Sequence, residues 1–226
     1  MSASAPQAPA TPPRGEIPGH DCPLCPRLAE FRKDNRARLP EHFNGPVPSF
    51  GDPAAQLIVV GLAPGVNGAN KTGRPFTGDY AGELLYRTLI KTGFAVGTFE
   101  ARPDDSLTMV DAAVSNAVRC VPPENKPTPL EIRTCRRYLV STIAAMPQLK
   151  AILALGKIAH DSTIAALEMR PKEARFTHGA KHRAPSGVTL FDSYHCSRLN
   201  TNTGRLTEAM FTMVVEAIKL HVSNAV

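Results

Sequence analysis

The chain has 226 residues, 42% of them hydrophobic, and this length and composition suit one domain with a sizeable core. Its 26 Lys and Arg residues exceed its 20 Asp and Glu residues, so the formal net charge is +6 at pH 7, which suits a polyanionic partner without establishing one. No apolar run approaches the roughly 20 residues of a membrane-spanning helix, and the N-terminus lacks the apolar segment of a secretory signal. We therefore predict a cytoplasmic protein with no membrane contact.

Residues 1–18 are rich in Pro and Ala, which predicts a disordered N-terminal tail, and residues 19–226 are predicted to form a single domain. Apolar runs bounded by turn residues predict four strands, at Gln56–Ala63, Met109–Val118, Ala151–Gly156 and Val188–His195. Helices are predicted at Asp79–Thr92, from a capping box at Thr128–Glu131 onward, behind the third strand, and at Leu206–His221. This alternation predicts an α/β domain with a short parallel sheet.

The loop after the first strand, Gly61–Asp79, contains five glycines, which is typical of a loop whose backbone closely approaches a ligand. The chain contains neither GxxxxGK[ST] nor GxGxxG, so the common nucleotide-binding motifs are excluded. Two further loops, Ser115–Pro123 and His195–Gly204, also follow predicted strands. Because ligands bind beyond the carboxyl ends of parallel strands, we expect these three loops to form the site.

The five cysteines are spaced as two pairs and a single residue. Cys22 and Cys25 form a C-x-x-C, Cys120 and Cys135 have fourteen residues between them, and Cys196 stands apart. In a reducing compartment this spacing points to a metal site rather than disulfides, and it fits an iron–sulfur cluster at least as well as zinc. The alternative is four unrelated structural cysteines, and Cys135 is the weakest member because it lies on the apolar face of a predicted helix.

Two histidines, His178 and His182, are four residues apart, as in a zinc-binding helix. Gly179 and Pro185 favour a hairpin instead. We therefore predict that both histidines are surface residues, or at most phosphate contacts.

Four motifs follow one another in the loops: GLAPG at Gly61–Gly65, GRPFTG at Gly73–Gly78, SNAVRC at Ser115–Cys120 and SYHCS at Ser193–Ser197. In this order, and with this cysteine spacing, they resemble the uracil-DNA glycosylase superfamily, most closely its iron–sulfur family 5 branch. The resemblance extends from about Cys22 to His221. It implies a three-layer α/β/α fold around a short, mostly parallel, four-stranded sheet, and a reaction that flips a damaged nucleotide out of DNA and cuts its base from the deoxyribose.

The resemblance also implies roles for the pocket residues. Phe76 matches the aromatic residue that stacks on the base, Asn116 the amide that reads the O4 and N3 edge of uracil, and His195 the donor that faces uracil O2. The residues that follow the first strand are expected to line the same pocket: Leu62, Ala63 and Gly65.

Two residues are candidates for positioning the attacking water. Several relatives carry a carboxylate or Asn where this chain has Ala63, whereas the family 5 branch uses an Asp or Asn that matches Asn70. An amide cannot act as a general base near pH 7, so Asn70 is expected to orient a water. Asp79 is the alternative for this role, although it is also a candidate N-cap of the following helix.

The segment after His195 matches the loop that enters the DNA in relatives. Leu199 is expected to be the apolar wedge that fills the vacated stack, Arg198 to contact phosphate, and Asn200 to belong to the same DNA-binding loop. Many relatives have Pro where this chain has Cys196, so this loop is expected to be less rigid.

The resemblance implies a monofunctional glycosylase that removes uracil from DNA, with hypoxanthine and xanthine as further candidate bases, and leaves an abasic site. Four cysteines are implied to hold a [4Fe–4S] cluster: Cys22, Cys25, Cys120 and Cys135. The partner is uracil-containing DNA, bound by a monomer in the bacterial cytoplasm or nucleoid. The main alternative is a weakly or non-catalytic damaged-DNA-binding member, and an iron–sulfur or zinc redox protein is disfavoured because the cysteines lack the clustered ferredoxin spacing.

Overall fold

A computed structural model describes residues 15–224. Its main sheet has six strands: β1 Phe50–Gly51, β2 Leu57–Gly61, β5 Ala112–Asn116, β6 Ala151–Leu155, β7 Lys181–Arg183 and β8 Thr189–Ser193. Their order across the sheet is β1-β5-β2-β6-β8-β7. The four central strands are parallel, and β1 and β7 pair antiparallel at the two edges. A separate antiparallel pair is formed by β3 Ala95–Val96 and β4 Thr108–Met109.

Seven helices surround the sheet: α1 Pro26–Arg38, α2 Ala69–Thr72, α3 Tyr80–Lys91, α4 Pro129–Ala144, α5 Lys157–Ala166, α6 Arg198–Asn202 and α7 Glu208–Asn224. Alternate residues of β2 belong to different cores, because Leu57 and Val59 pack with side chains of α3 and α7, whereas Ile58 and Val60 pack with side chains of α4 and α5. A strand that is covered on both faces has a continuous apolar sequence. Because helices cover both faces of the sheet, the fold is a three-layer α/β/α sandwich. None of the helices in the described range is long and apolar enough to cross a membrane.

The predicted α/β class is confirmed, but the predicted number of strands is too low. The four predicted strands contain the parallel centre of the sheet, and the structure adds the two short edge strands. The predicted strand Met109–Val118 is wrong in its first part, because the chain breaks between β4 and β5 at Asp111, whose φ is +51°. Asp111 turns the chain and accepts a hydrogen bond from the backbone N–H of Gln56 at 2.9 Å, which fixes the start of β2.

The N-terminal segment is attached to α4 by polar contacts. The predicted tail lies outside the described residues for positions 1–14, and within positions 15–18 Glu16 lies 3.4 Å from the guanidinium of Arg137. The predicted capping box is present, because Thr128 and Glu131 exchange side-chain and backbone hydrogen bonds at the start of α4. Arg27 of α1 donates two hydrogen bonds to the Glu131 carboxylate at 2.8 and 2.7 Å, so the cap also joins the C-x-x-C helix to the domain.

Candidate active site and cysteine cavity

Three of the predicted pocket residues meet where the parallel strands end. Asn116 ends β5 and pairs in register with Gly61 at the end of β2. A Cβ atom on Gly61 would collide with the Phe76 ring and would lie 2.5 Å from Oδ1 of Asn116, so only glycine fits there. The rings of Phe76 and His195 are stacked, with centroids 6.0 Å apart and planes 29° apart. The structure therefore brings Phe76 and Asn116 together at Gly61, with the His195 imidazole next to the Phe76 ring.

The position of Phe76 is fixed by an unusual backbone and by α3. Phe76 has a φ of +53°, in the left-handed region that costs a bulky residue energy. The Tyr86 hydroxyl donates to the carbonyl oxygen of Pro75 at 2.6 Å, and a Cβ on Gly82 would collide with the carbonyl oxygen of Phe76. This close approach of α3 supports the strained turn that presents the ring to the pocket.

His195 is half-buried and neutral. Burial lowers its pKa to about 4, so the imidazole carries one proton at pH 7. Among residues 15–224 neither ring nitrogen has a hydrogen-bond partner, whereas the backbone carbonyl accepts a hydrogen bond from Asn200 Nδ2 at 2.8 Å. The loop is thus held by its backbone while the ring N–H remains available to a ligand.

The two histidines predicted as surface residues are partly buried and contact the residues just before His195, which corrects that prediction. His178 stacks on Tyr194 with centroids 5.0 Å apart, and its Nδ1 accepts a hydrogen bond from the Tyr194 backbone N–H at 3.2 Å. His182 lies on β7, in the predicted hairpin, and its Nε2 lies 3.1 Å from Oδ2 of Asp192. Both contacts lie within three residues of His195 in sequence, so these histidines support the end of β8.

A buried ionic group lies beside them and was not predicted. Nδ1 of His160 donates to Oδ1 of Asp192 at 2.7 Å, and its Nε2 donates to the carbonyl oxygen of Ala174 at 3.0 Å. Both partners are acceptors, so both ring nitrogens must carry protons. Burial alone would lower the pKa of His160, but the hydrogen bond and charge of Asp192 outweigh it and the pKa is raised.

We expect this group to make stability depend on pH. A histidine whose pKa is raised in the folded state stabilises it fully below the unfolded value of 6.5, and the contribution is lost as the pH rises through the folded pKa. In the parent protein, the free energy of unfolding should exceed that of His160→Gln by about 2–4 kcal/mol near pH 6. Urea unfolding of both proteins from pH 6 to 9 measures the difference, which should shrink with rising pH. A constant difference would contradict a charged His160.

The predicted water-orienting residue, Asn70, lies buried in α2. Its Nδ2 donates to Oδ1 of Asn44 at 2.9 Å. Asn44 is fixed in turn, because its own Nδ2 donates to the carbonyl oxygen of Leu39 at 2.6 Å and its φ is +46°. Since Asn44 presents its oxygen, Asn70 must present its NH₂ to it, and Oδ1 of Asn70 has no hydrogen-bond partner among the described residues. That oxygen can accept a hydrogen bond from a water.

The alternative residue, Asp79, precedes α3 but makes no side-chain cap to it. Its carboxylate faces the glycine loop, since Oδ2 lies 3.7 Å from where a Cβ of Gly65 would be. Burial raises its pKa, and its Oδ1 is buried without a hydrogen-bond partner in the described part of the chain. Asp79 therefore remains a candidate in the same loop as Asn70.

The other residues of this loop connect two regions of the protein. Leu62 and His195 line one cavity of about 330 Å³, together with the start of α5. Ala63 packs against the cysteine-lined cluster that contains Cys120 and Cys135. Gly65 accepts hydrogen bonds from two loop backbone N–H groups through its carbonyl oxygen. The first residues after β2 thus contact both the cavity beside His195, which Phe76 and Asn116 do not line, and the cysteine region.

The predicted DNA-binding residues lie on the short helix α6, which Ser197 caps. Leu199 is 71% exposed, an unusual position for a leucine. The Arg198 guanidinium lies over the Tyr80 ring, 5.1 Å from its centroid. Asn200 is directed inward, to the His195 backbone, so it supports the loop.

All four predicted metal-binding cysteines line one cavity between α1, the end of β5 and α4: Cys22, Cys25, Cys120 and Cys135. Cys196 lies elsewhere, buried in the core next to His195. A tetrahedral Zn–S₄ site, with Zn–S bonds of about 2.3 Å, holds its sulfurs about 3.8 Å apart. Within residues 15–224 no three of these sulfurs lie within 4.8 Å of one another, which fits a larger group better than a single ion.

Two features of the cavity fit an anionic metal group. Burial raises the pKa of the Cys25 thiol to about 11 and that of Cys135 to about 12, so an empty cavity would hold neutral thiols. Two arginines lie beside the sulfurs, Arg32 and Arg119, and the Nε of each is buried without a partner among the described residues. Buried cations of this kind require an anion, which four thiolates around a metal group supply.

Comparison with known proteins shows the family to which this chain belongs. Residues 48–219 match the family model of the uracil DNA glycosylase superfamily. A type-5 uracil-DNA glycosylase of Thermus thermophilus is 43% identical over 203 residues, covering 88% of this chain and 92% of the relative. A type-5 enzyme of Pyrobaculum aerophilum is 37% identical over 191 residues, covering 83% of each chain, and a type-4 enzyme of the same organism is 30% identical over 182 residues. This chain belongs to the uracil-DNA glycosylase superfamily, in its type-5 branch.

Proposed function

We propose that this protein is a DNA repair glycosylase that hydrolyses the N-glycosidic bond of deoxyuridine in DNA and leaves an abasic site. The observation that carries the proposal is the contact of Phe76 and Asn116 at Gly61, with His195 stacked against Phe76. An aromatic face, a group with both donor and acceptor, and a neutral donor are what a flipped uracil requires. Family membership supports the same activity.

Recognition of the base precedes the chemistry. A nucleotide flipped out of the duplex would stack on Phe76, and the Asn116 amide would donate to O4 and accept from N3–H of uracil. A Cβ at Gly61 would occupy the space between these two groups, so the glycine defines the depth of the pocket.

Cleavage depends on the leaving group. As the bond to deoxyribose breaks, negative charge develops on uracil O2, and an N–H donor aimed there lowers the barrier. His195 suits this role because its ring N–H has no competing partner in the described residues and its lowered pKa keeps the ring neutral. The electrons of the broken bond remain on the base, which leaves as an anion; water adds to the sugar cation and loses a proton to solvent, and the base anion takes up a proton from solvent.

Asn70 would orient this water through its free Oδ1. Because Asn70 takes no proton, Asn70→Ala is expected to lower the single-turnover rate by about tenfold or less, the value of one hydrogen bond. Asn44→Leu should have a similar effect, since Asn70 then loses the contact that fixes its amide.

The role of Asn70 is tested by the rates of base release in Asn70→Ala, Asn44→Leu and Asp79→Asn, measured under identical conditions. If only Asp79→Asn is slow, Asp79 handles the water instead.

DNA would bind across the strand ends as a monomer, with Leu199 entering the duplex. The exposed side chains near the pocket include Arg198, Lys157 and Arg205, which can neutralise phosphates. Binding to a uracil duplex should therefore weaken by about tenfold or more between 50 and 200 mM salt. Fluorescence anisotropy at several salt concentrations measures this, with Arg198→Gln expected to reduce the slope. An affinity that does not change with salt argues against a DNA partner.

Cys22, Cys25, Cys120 and Cys135 would hold a [4Fe–4S] cluster. When bound, the cluster supplies a rigid crosslink between the N-terminal segment and the sheet, and no step of base removal passes through it. The two buried arginines, whose Nε atoms have no partner among the described residues, support an anionic group of this kind.

The second candidate is a protein that recognises deaminated bases without turnover. The amide of Asn70 favours this candidate, because an amide cannot accept a proton from the attacking water. Duplexes containing uracil, hypoxanthine or xanthine distinguish the two. The purified protein is incubated with each duplex, and the strand is analysed with and without alkali. We expect alkali-dependent cleavage at uracil, with an intact strand before alkali. Tight binding with no alkali-labile site for any base would establish the binder.

A further inference from the structure

Two of the most buried cations of the protein lie beside the cysteine cavity. Arg32 of α1 is 5% exposed, and Arg119, just before Cys120, is 1% exposed. Nη1 of Arg32 donates to the sulfur of Cys120 at 3.6 Å, and its Nη2 donates to the carbonyl oxygen of Cys22 at 2.9 Å. The backbone N–H of Arg119 donates to the sulfur of Cys135 at 3.3 Å.

Neither arginine has an acidic partner among the described residues. The Arg119 guanidinium donates to the hydroxyls of Ser49 and Thr142, each at 2.9 Å. The acidic side chains of the surrounding elements are paired with other cations: Asp21 with Arg36, Glu131 with Arg27, and Glu16 with Arg137. Two dry cations without counter-ions are too costly for a stable fold, since a buried charge must be paired or must face a metal group.

The charges balance when the cysteines carry a metal group. Four thiolates around a dipositive [4Fe–4S] core bear two net negative charges, and the two arginines bear two positive charges. We propose that Arg32 and Arg119 are the counter-ions of this group, and that Arg32, through its hydrogen bond to the Cys120 sulfur, raises the reduction potential of the cluster. This inference rests on the proposal that the cysteines hold the cluster.

The expected effect on the potential follows from charge. Taking up one electron from an electrode adds a negative charge to the group, and a nearby cation that also donates to a ligand sulfur favours that uptake. Arg32→Met keeps an unbranched apolar stem but removes the charge and the donor. Its cluster should therefore have a lower reduction potential than the parent. A matched control lies one turn further along α1, where Arg36 is paired with the exposed Asp21 at 2.6 Å.

The experiment measures iron content and film voltammetry of the purified parent, Arg32→Met and Arg36→Gln. We expect the parent iron content and a lowered potential for Arg32→Met, and the parent potential for Arg36→Gln. A fully loaded Arg32→Met with the parent potential overturns the role of Arg32.

If Arg32→Met fails to load iron, the iron content of Arg32→Lys shows whether a positive charge at position 32 is what loading requires. Loading by Arg32→Lys, which restores the charge, supports the counter-ion role, and failure to load overturns it because the charge is then not sufficient. A parent protein without iron overturns the cluster itself, and the parent sample alone reveals that failure.

Discussion

Replacing His195 with alanine is expected to lower the single-turnover rate of uracil release by about 10²–10³-fold, the usual cost of losing one donor to a developing anion. The affinity for uracil DNA should change much less, because the donor acts mainly when charge builds on O2. Rates are measured with enzyme in excess over a uracil duplex, and affinities by anisotropy. His221→Ala, on α7, is the control for a general effect of removing a histidine. A His195→Ala variant that releases uracil at the parent rate contradicts the assigned role.

The pH dependence of the parent separates a neutral donor from an imidazolium. Burial lowers the pKa of His195 to about 4, so the ring stays neutral between pH 6 and 8, and this residue should contribute no change in rate over that range. A rate that falls with an apparent pKa near 6.5 as the pH rises, and loses that step in His195→Ala, would show that the charged form is the donor.

Replacing one of the four cysteines proposed to hold the cluster is expected to be as severe for the fold as His195→Ala is for the chemistry. In Cys135→Ala the proposed group would lose a ligand, and its loss would leave Arg32 and Arg119 buried without an anion, at a cost of about 3–5 kcal/mol. We expect brown parent protein with about four irons per chain, and a variant that is colourless, poorly soluble or unfolded. Iron analysis, visible absorption and circular dichroism measure this.

Cys196→Ala is the matched control, because Cys196 is also a buried cysteine but packs in the core away from the cavity. It should keep the iron content of the parent. A folded Cys135→Ala with four irons, or a parent protein with one zinc and no visible absorption, contradicts the cluster.

The parallel centre of the sheet could be predicted because each of its strands is buried on both faces, and such strands read as continuous apolar runs. The edge strands gave no such signal. β1 has only two residues, and β7 is Lys181–Arg183, whose side chains are polar and partly exposed. The turn at Asp111 was missed because an apolar run continues on both sides of it, and its positive φ is set by a contact with Gln56.

The pocket residues could be predicted from motifs, because each motif lies within one loop. The order of the motifs along the chain shows which strand each loop follows. The residues that support them could not. Asn44 is 26 positions from Asn70, and His160 is 32 positions from Asp192, so neither pair leaves a local pattern. Arg119 adjoins Cys120 in the sequence, but its burial without an acidic partner is visible only in three dimensions.

Direct detection of free uracil tests the central claim, which is that the pocket around Gly61 removes the base. The unmodified protein, in excess over a duplex with a single uracil opposite guanine, is sampled over time. Released uracil is quantified by mass spectrometry, and abasic sites are quantified by alkali cleavage. We expect one free uracil for each abasic site, in a strand that stays intact until alkali is added. Tight binding with no released uracil, or a strand cut without alkali, would contradict it.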